Sequence, residues 1–310
     1  MKSQELAVQS VRSKYYWGKY RKSDLATAFC FLLPAFAVFF IFKYYPLLDT
    51  LRISFTSWNF YADPRHVGIE NYTKILSSKI FSKVLGNTFY YTFWSTALSL
   101  LLGLLLAMCL FRNTRITGRA MKTLLFIPNI TTASAVAILW IWIFNSSNGL
   151  MEIVYSLFGA KSPAWLLDKN LAIWTVITLG VWRSMGYVMT IYMSGLSQID
   201  GAVYEAARID GASEVQQAWY ITFPLLIPTT LFLLTTTLIS SMQVFDVVQV
   251  MTEGGPSNAT NVMNLYIYQE AFVRSKAGSA AALSIILFVL LLVLTIVQRT
   301  LTKEGANDRG

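Results

Sequence analysis

The sequence predicts an all-α membrane protein with six transmembrane helices and a charged helix-turn-helix loop on the cytoplasmic side. Hydrophobic residues make up 55% of the 310 residues and charged residues only 13%, a more apolar balance than soluble domains have. Several apolar runs reach about 20 residues, the length that crosses a bilayer. Between two of these runs lies a segment with several charged residues, which must therefore be in water.

Composition also argues against several classes of function. The net charge of +9 arises largely where basic residues flank apolar runs, which indicates contact with anionic lipid and not with nucleic acid. Cys30 and Cys109 lie in apolar runs, and His66 has no second ligand nearby, so we expect neither a disulfide nor a metal site. The sequence has no phosphate-binding loop and no nucleophile elbow. We therefore expect no cofactor and no catalytic residue, and any nucleotide hydrolysis must come from another chain.

The chain begins with a polar segment, residues 1–24, which we interpret as a cytoplasmic tail; its basic residues are Lys2, Arg12, Lys14, Lys19, Arg21 and Lys22. The first apolar run, Leu25–Tyr45, is too long for the hydrophobic part of a secretion signal and lacks a clear cleavage site, so we expect a retained span. The other five predicted spans are Val84–Phe111, Leu124–Phe144, Leu171–Gly195, Leu225–Phe245 and Ala277–Gln298.

The loops between these spans predict the orientation. Residues 46–83 and 145–170 form mixed polar loops that we expect outside. An even number of spans places both termini on one side. The basic tail and the short turn with Arg112, Arg115, Arg119 and Lys122 identify that side as the cytoplasm. The loop that follows Tyr204 runs against this rule, because it carries more acidic than basic residues.

The charged segment, residues 204–228, has the local signals of two short helices joined by a turn. Glu205 to Asp210 has a helical composition, and Gly211 suits the left-handed position that ends a helix. Ser213 and Gln216 resemble a capping box that opens a second helix. We therefore expect two helices lying along the membrane face.

This segment resembles the EAA loop of permease subunits in binding-protein-dependent ABC importers. The coupling residues that the resemblance implies are Glu205, Ala206, Ala207, Asp210, Gly211 and Pro224. Ala206 and Ala207 would let the first helix seat in a groove of a cytoplasmic ATPase, and Glu205 would offer a carboxylate to a basic residue there. The chain departs from the family at Phe223, where Leu is usual. A lone EAA triplet would fit a solvated connector, but the glycine and the proline stand at the family's offsets.

Two predicted spans carry polar stripes. In the fourth span Arg183, Tyr187, Thr190 and Ser194 share one helical face, and a charge in mid-span costs at least about 2.5 to 3.5 kcal/mol. The fifth span carries Thr229, Thr236, Ser240 and Gln243, flanked by Thr237, Ser241 and Asp246. Such hydroxyls serve either as contacts between helices or as the lining of a hydrated path. Two neighbouring stripes with an arginine favour a path.

The resemblance extends to these stripes, since the matching segments contact sugar in maltose-type permeases. The candidate substrate path comprises Arg183, Ser184, Tyr187, Thr237, Ser240, Ser241 and Gln243. Hydroxyl, amide and aromatic groups suit a polyhydroxylated solute. Arg183 leaves alternatives open, because its guanidinium also suits a phosphate or carboxylate, or a structural pairing with Asp246 or with a neighbouring subunit.

A third motif follows the fifth span. Gly254, Gly255 and Pro256 form a sequence typical of a sharp turn. With Thr252 before it and Asn261 after it, this motif resembles the GGP segment of the first of two permeases in carbohydrate importers. The resemblance implies an external loop near a docked binding protein or near the gate.

Over residues 25–298 the resemblance implies a permease domain, with a coupling loop at residues 196–224 and a cytoplasmic tail at residues 299–310. It implies a transport subunit without enzymatic activity, in a bacterial-type cytoplasmic membrane with both termini cytoplasmic. The implied partners are a second permease subunit, a cytoplasmic ATPase dimer, an extracytoplasmic solute-binding protein and a carbohydrate. A permease of this type for a non-sugar or phosphorylated solute, such as a glycerol phosphate, and an ion-coupled secondary carrier remain as alternatives.

Overall fold

The computed structural model describes residues 22–111 and 115–307, and the regular structure there is helical apart from one short hairpin. The all-α prediction is confirmed. Arg112, residues 308–310 and most of the predicted tail at residues 1–24 lie outside the described residues. The chain divides into two compact units, residues 1–52 and 53–310.

The part of the first unit that the structure describes, residues 22–52, is helical throughout. Helix α1 (Lys22–Phe39) passes through a π turn (Phe40–Tyr44) into α2 (Tyr45–Ser54). The stretch Thr27–Ser54 is long and apolar enough to cross a membrane, and none of the side chains in its apolar window is buried within the protein. The first span therefore extends well beyond its predicted end at Tyr45.

Regular structure also fills the predicted outer loop at residues 46–83. Strands β1 (Thr56–Ser57) and β2 (Arg65–His66) form an antiparallel hairpin, followed by α3 (Glu70–Leu76) and by the 33-residue α4 (Lys79–Phe111). The Asn71 amide fixes the hairpin to α3 by donating to the carbonyls of Ser54 at 2.8 Å and Thr56 at 2.9 Å. On the same helix, the ammonium of Lys74 lies 2.5 Å from the Glu70 carboxylate and lowers the pKa of Glu70.

The third predicted span, Leu124–Phe144, is not one straight helix. The structure has α5 (Ile116–Ile130) and α6 (Ala133–Ile143), which meet at an angle of 104°. Thr131 and Thr132 between them are extended, with ψ of 145° and 127°. The helical bonds of α5 end with Thr131 N–H, which donates to the Ile127 carbonyl at 3.2 Å. The basic turn predicted at residues 112–122 is largely the first part of α5.

The rest of the chain comprises α7 (Leu150–Leu157), α8 (Ala172–Ser197), α9 (Gly201–Ile209), α10 (Glu214–Gln217), a π turn (Ala218–Thr222), α11 (Phe223–Met242), α12 (Asp246–Met251), α13 (Met263–Tyr268), a second π turn (Gln269–Val273) and α14 (Ala277–Asn307). Among the described residues, four helical stretches have the length and hydropathy of a span, and the bent pair α5–α6 would make five. The 26-residue α8 is long enough to cross but is not in this group, and it carries Arg183. The count of six spans stays a prediction.

The core lies where α4 packs along α8, with α5 and α11 against the same pair. These backbones approach closely at glycines. A Cβ on Gly103 of α4 would lie 2.5 Å from Cγ1 of Val188, and a Cβ on Gly186 of α8 would lie 1.9 Å from the Leu125 carbonyl oxygen of α5. Both distances are shorter than real contacts, so these positions require glycine.

Candidate functional site

The charged segment folds into a rigid hook, which we define as residues 200–217. Its first helix, α9, begins at Asp200, whose carboxylate accepts from the backbone N–H of Ala202 at 3.0 Å. The helix ends at Gly211, which has φ of +81°. Ala212 N–H donates to the Ala207 carbonyl at 2.9 Å, and Gly211 N–H donates to the Arg208 carbonyl at 3.1 Å. This pair of bonds is a Schellman end, so the prediction of a left-handed glycine is confirmed.

The second helix begins with the predicted capping box. Ser213 N–H donates to Gln216 Oε1 at 2.8 Å, and Gln216 N–H donates to Ser213 Oγ at 3.3 Å. The prediction of a separate surface helix is wrong, because α10 runs through the π turn directly into α11, giving one 29-residue stretch, Glu214–Met242. Pro224 lies just after the π turn, and the helical stretch continues through it although proline lacks a backbone N–H. The hook is therefore continuous with the fifth predicted span.

The hook presents a mixed acidic and apolar surface. Glu205, Ala206, Asp210 and Gly211 are exposed, whereas Ala207 is half-buried. Exposed large apolar residues, which the sequence reasoning missed, stand beside them: Ile209 is 87% exposed, Val215 67% and Trp219 66%. Their signal was the four-residue spacing from Glu205 to Ile209 and from Val215 to Trp219, which puts each pair on one helical face.

A cavity of about 630 Å³ lies between the hook and the ends of two long helices. Its lining includes Phe111 from α4, Leu196 from α8, and Glu205, Arg208 and Glu214 from the hook. Two hydrogen bonds fix the part of the hook that lines this cavity. The Tyr204 hydroxyl lies 2.9 Å from Thr222 Oγ1, and the amide of the buried Gln217 donates to the Ala212 carbonyl at 2.9 Å. The hook is thus fastened to the membrane helices and is not a loose connector.

Two hydroxyl groups of the candidate path make side-chain hydrogen bonds to α4. Ser184 Oγ lies 2.5 Å from Ser99 Oγ, and Thr96 Oγ1 donates to Ser241 Oγ at 3.5 Å. Ser99 and Thr96 belong to α4 and were not predicted, because their neighbours are distant in the sequence.

The other predicted path residues differ in how far their side chains are exposed to solvent. Thr237 is buried and donates to the Leu233 carbonyl at 2.6 Å within its own helix. Tyr187 is half-buried, and Ser240 and Gln243 are exposed on the chain as it stands alone. These last three residues keep polar groups available for a solute or for a neighbouring subunit.

Arg183 lies at the break between α5 and α6. Its Nη2 donates to the Thr131 carbonyl at 3.3 Å, and its Nε is buried without a hydrogen-bond partner. The guanidinium thus stands at the negative end of α5, where a cation is stabilised. In residues 22–111 and 115–307, no ion pair joins Arg183 to Asp246, the partner that the sequence reasoning considered.

The Gly-Gly-Pro turn is folded tightly. Gly254 is buried with φ of +86°, and the peptide bond between Gly255 and Pro256 is cis. Thr260 Oγ1 donates to the Gly255 carbonyl at 2.8 Å and lies 2.7 Å from Thr252 Oγ1. The turn is therefore an ordered element.

Two side chains near the start of α4 hold this turn. Lys83 Nζ donates to the Ser257 carbonyl at 2.7 Å, and the Asn87 amide donates to the carbonyls of Asn258 at 2.8 Å and Asn261 at 3.0 Å. Sequence reasoning missed both, because a lysine and an asparagine at the start of an apolar run carry no distinctive signal.

Replacing Asn87 with leucine is expected to loosen the turn. The change removes two hydrogen bonds worth about 0.5 to 1.5 kcal/mol each and leaves two carbonyls without their donor. We expect faster proteolytic cleavage within residues 252–262 of the purified protein. Ser257→Ala is the control, because only the backbone carbonyl of Ser257 takes part in the turn. Equal cleavage rates for N87L and S257A would show that the hydrogen bonds from Asn87 do not hold the turn.

Comparison with known proteins identifies the class to which this architecture belongs. A family model described as binding-protein-dependent transport system inner membrane component matches residues 99–304. The trehalose/maltose transport system permease protein MalF of Thermococcus litoralis is 32% identical over 281 residues, covering 90% of this chain and 94% of that protein. The sn-glycerol-3-phosphate transport system permease protein UgpA of Agrobacterium fabrum is 31% identical over 233 residues, covering 75% of this chain and 79% of that protein.

A solved structure has the same fold. It is a bacterial alginate ABC transporter in complex with an alginate pentasaccharide-bound periplasmic protein, and it superposes with a TM-score of 0.80 at 21% identity, covering 96% of both chains. The family match includes the hook, both polar stripes and the Gly-Gly-Pro turn. Relatives of this kind are transport components and not enzymes. The chain therefore belongs to the family of inner membrane components of binding-protein-dependent transport systems, the multi-pass permeases of ABC importers for sugars and related solutes.

Proposed function

We propose that this chain is the permease subunit of an ATP-driven carbohydrate importer, in which it forms the solute path together with a second, different permease. A cytoplasmic ATPase dimer binds the hook, and an extracytoplasmic solute-binding protein delivers the sugar. Both termini lie in the cytoplasm. The observation that carries the proposal is the rigid, exposed hook continuous with a membrane span.

The hook has the chemistry of a docking element. Glu205 is exposed and offers a carboxylate, while the small side chains of Ala206 and Ala207 allow close approach of a groove wall. Ile209 and Val215 add apolar surface for burial in an interface. Because Asp210 and Gly211 close the Schellman end, α9 is held in one orientation before any partner arrives.

Movement of the ATPase subunits would be transmitted directly to the membrane. Closure of the ATPase dimer on ATP displaces α9, and α10 carries the displacement into α11 without an intervening loop. The span that bears Thr237, Ser240, Ser241 and Gln243 then reorients, which opens the path toward the binding protein, and hydrolysis resets it. Pro224 stands at the junction where the hook enters this span.

Sugar is the solute that the candidate path favours. Tyr187, Ser240 and Gln243 offer aromatic, hydroxyl and amide groups, the set that binds a polyhydroxylated ring. MalF, the trehalose/maltose relative, supports the same class. Gly254, Gly255 and Pro256 would lie near the docked binding protein or the gate.

A phosphorylated solute is the second candidate. The buried Nε of Arg183 has no hydrogen-bond partner, and a guanidinium binds phosphate with a fork of parallel donors. The glycerol-3-phosphate relative UgpA favours this candidate as well.

The proposal is tested in vesicles that contain the complete transporter with its binding protein. We expect ATP-dependent, vanadate-sensitive accumulation of a labelled sugar such as maltotriose, trehalose or an alginate oligosaccharide. Uptake of glycerol 3-phosphate in place of any sugar would select the second candidate. Uptake without ATP that an ionophore abolishes would identify a secondary carrier and overturn both.

Glu205→Gln is expected to weaken the ATPase contact at least about tenfold, because truncating one partner of a charge pair at an interface costs about 2 kcal/mol or more. The measurement is recovery of the ATPase with the affinity-purified permease, together with sugar uptake. Glu253→Gln is the control, since it makes the same change at an exposed residue beside the Gly-Gly-Pro turn. Full ATPase recovery with E205Q would show that the Glu205 carboxylate does not contribute to ATPase binding.

A further inference from the structure

A second large cavity lies at the opposite end of the molecule from the hook. We call it the outer groove: a space of about 650 Å³ between the β1–β2 hairpin, α3, α13 and the start of α14. Its lining includes Ser78, next to the first residue of α4, whereas Phe111 at the far end of α4 lines the cavity beside the hook. The volume falls within the range of about 300 to 1,000 Å³ that is usual for ligand sites.

The walls of the outer groove are fixed by backbone contacts. Gly278 N–H donates to the Trp58 carbonyl at 3.3 Å, and a Cβ on Gly278 would lie 1.8 Å from the Thr56 carbonyl oxygen. The hairpin is therefore pressed against the start of α14. The Trp58 ring packs on Phe60 with centroids 5.1 Å apart, and Phe60 stacks on Phe272 at 6.4 Å. Trp58 is thus held in place while it remains half-buried at the groove.

The charged groups of the groove fall into paired and unpaired sets. Lys74 is paired with Glu70, and the buried Glu270 is paired with Arg274. Over the described ranges, Asp63, Arg65 and Lys276 form no ion pair, although all three line the groove. All three are exposed to solvent, so one acceptor and two donors of the groove remain accessible to a ligand.

We propose that the outer groove is a carbohydrate subsite, separate from the candidate path, that holds one or two sugar units of the transported solute. The apolar face of a sugar ring stacks on Trp58, and neighbouring hydroxyls donate to Asp63 and accept from Arg65. The half-buried Trp58 ring favours a sugar over a phospholipid headgroup, because a headgroup has no apolar ring face to stack on it. This inference rests on the proposed sugar transport and adds a place where solute is held before it enters the membrane.

The test uses the complete transporter in nanodiscs of zwitterionic lipid, without the binding protein. Maltotriose and an alginate trisaccharide serve as neutral and acidic probes, and saturation-transfer NMR measures their binding. We expect at least one probe to bind, and Trp58→Ala and Asp63→Asn each to weaken that binding about tenfold. Tyr61→Ala is the matched control, because Tyr61 is an aromatic residue of the same hairpin loop, 88% exposed, outside the groove lining.

Each outcome decides the proposal. Co-purification of the partner subunits with W58A and D63N shows that these variants are folded, so their weakened binding would support the subsite. Binding of neither probe to the parent transporter, or equal binding to W58A, would overturn it. Added phosphatidylglycerol that displaces the sugar probe equally from the parent transporter and from Y61A would also overturn the proposal and identify the groove as a lipid site. If the vesicles still take up sugar in these cases, the proposed function stands and only the subsite is rejected. If the vesicles take up glycerol 3-phosphate and no sugar, both the proposed sugar transport and the sugar subsite are rejected.

Discussion

The Gly186→Leu variant is expected to fold poorly, with a free energy of unfolding lower by about 3 kcal/mol or more. A Cβ at this position would lie 1.9 Å from the carbonyl oxygen and 2.6 Å from the carbonyl carbon of Leu125, and 3.0 Å from Cα of Phe126. All three atoms are backbone, so no side chain can turn away, and α5 would have to move off α8. The measurement is the midpoint of thermal unfolding in detergent, together with the yield of monodisperse protein.

Gly86→Leu is the matched control for this prediction. Gly86 lies in the interior of the long helix α4, but a Cβ there meets nothing within 4 Å. Replacing a helical glycine in open space is expected to raise stability slightly, since leucine has the higher helix propensity. If G186L and G86L unfold at the same temperature, α5 and α8 do not pack as described.

The Gly211→Val variant is expected to be inserted normally and to lose ATPase binding and sugar uptake by about tenfold or more. Gly211 has φ of +81°, which a β-branched side chain adopts only with strain, so the turn opens and α9 loses its orientation. No atom lies within 4 Å of the added Cβ, so the effect comes from the backbone alone.

Gly159→Val separates this effect from general strain. Gly159 has φ of +67° and equally open surroundings, but it lies in the loop after α7, far along the chain from the hook. We expect the two variants to be destabilised alike and only G211V to lose the ATPase on affinity purification. Loss of the ATPase in both would show that the orientation of α9 is not the cause.

The features predicted correctly from the sequence are those that local interactions determine. The left-handed turn at Gly211 and the capping box at Ser213 depend on residues at most a few positions away, so composition and spacing suffice. The continuation of α10 into α11 was missed because the sequence there contains Pro224 and Pro228, and proline usually interrupts a helix. Both prolines are accommodated within one helical stretch.

The features that the sequence did not reveal depend on packing between distant elements. The stretch from Leu124 to Phe144 carries no charged residue and has the hydropathy of one span, so the break of 104° was missed although Thr131 and Thr132 interrupt the apolar run there. Helical periodicity put Arg183 on a polar stripe and the family resemblance added Ser184 to the path, but neither could identify their neighbours. Ser184 meets α4, and Arg183 caps the end of α5. The GGP motif was recognised, but its attachment to Lys83 and Asn87 was not.

The helix α4 is about 50 Å long, and it is fastened at three levels. Lys83 and Asn87 grip the Gly-Gly-Pro turn at one end, Phe111 borders the hook cavity at the other, and Thr96 and Ser99 bind two other spans close to its midpoint. Because α4 also packs along α8, the two helices are expected to move as one stiff unit that links the Gly-Gly-Pro turn to the hook cavity.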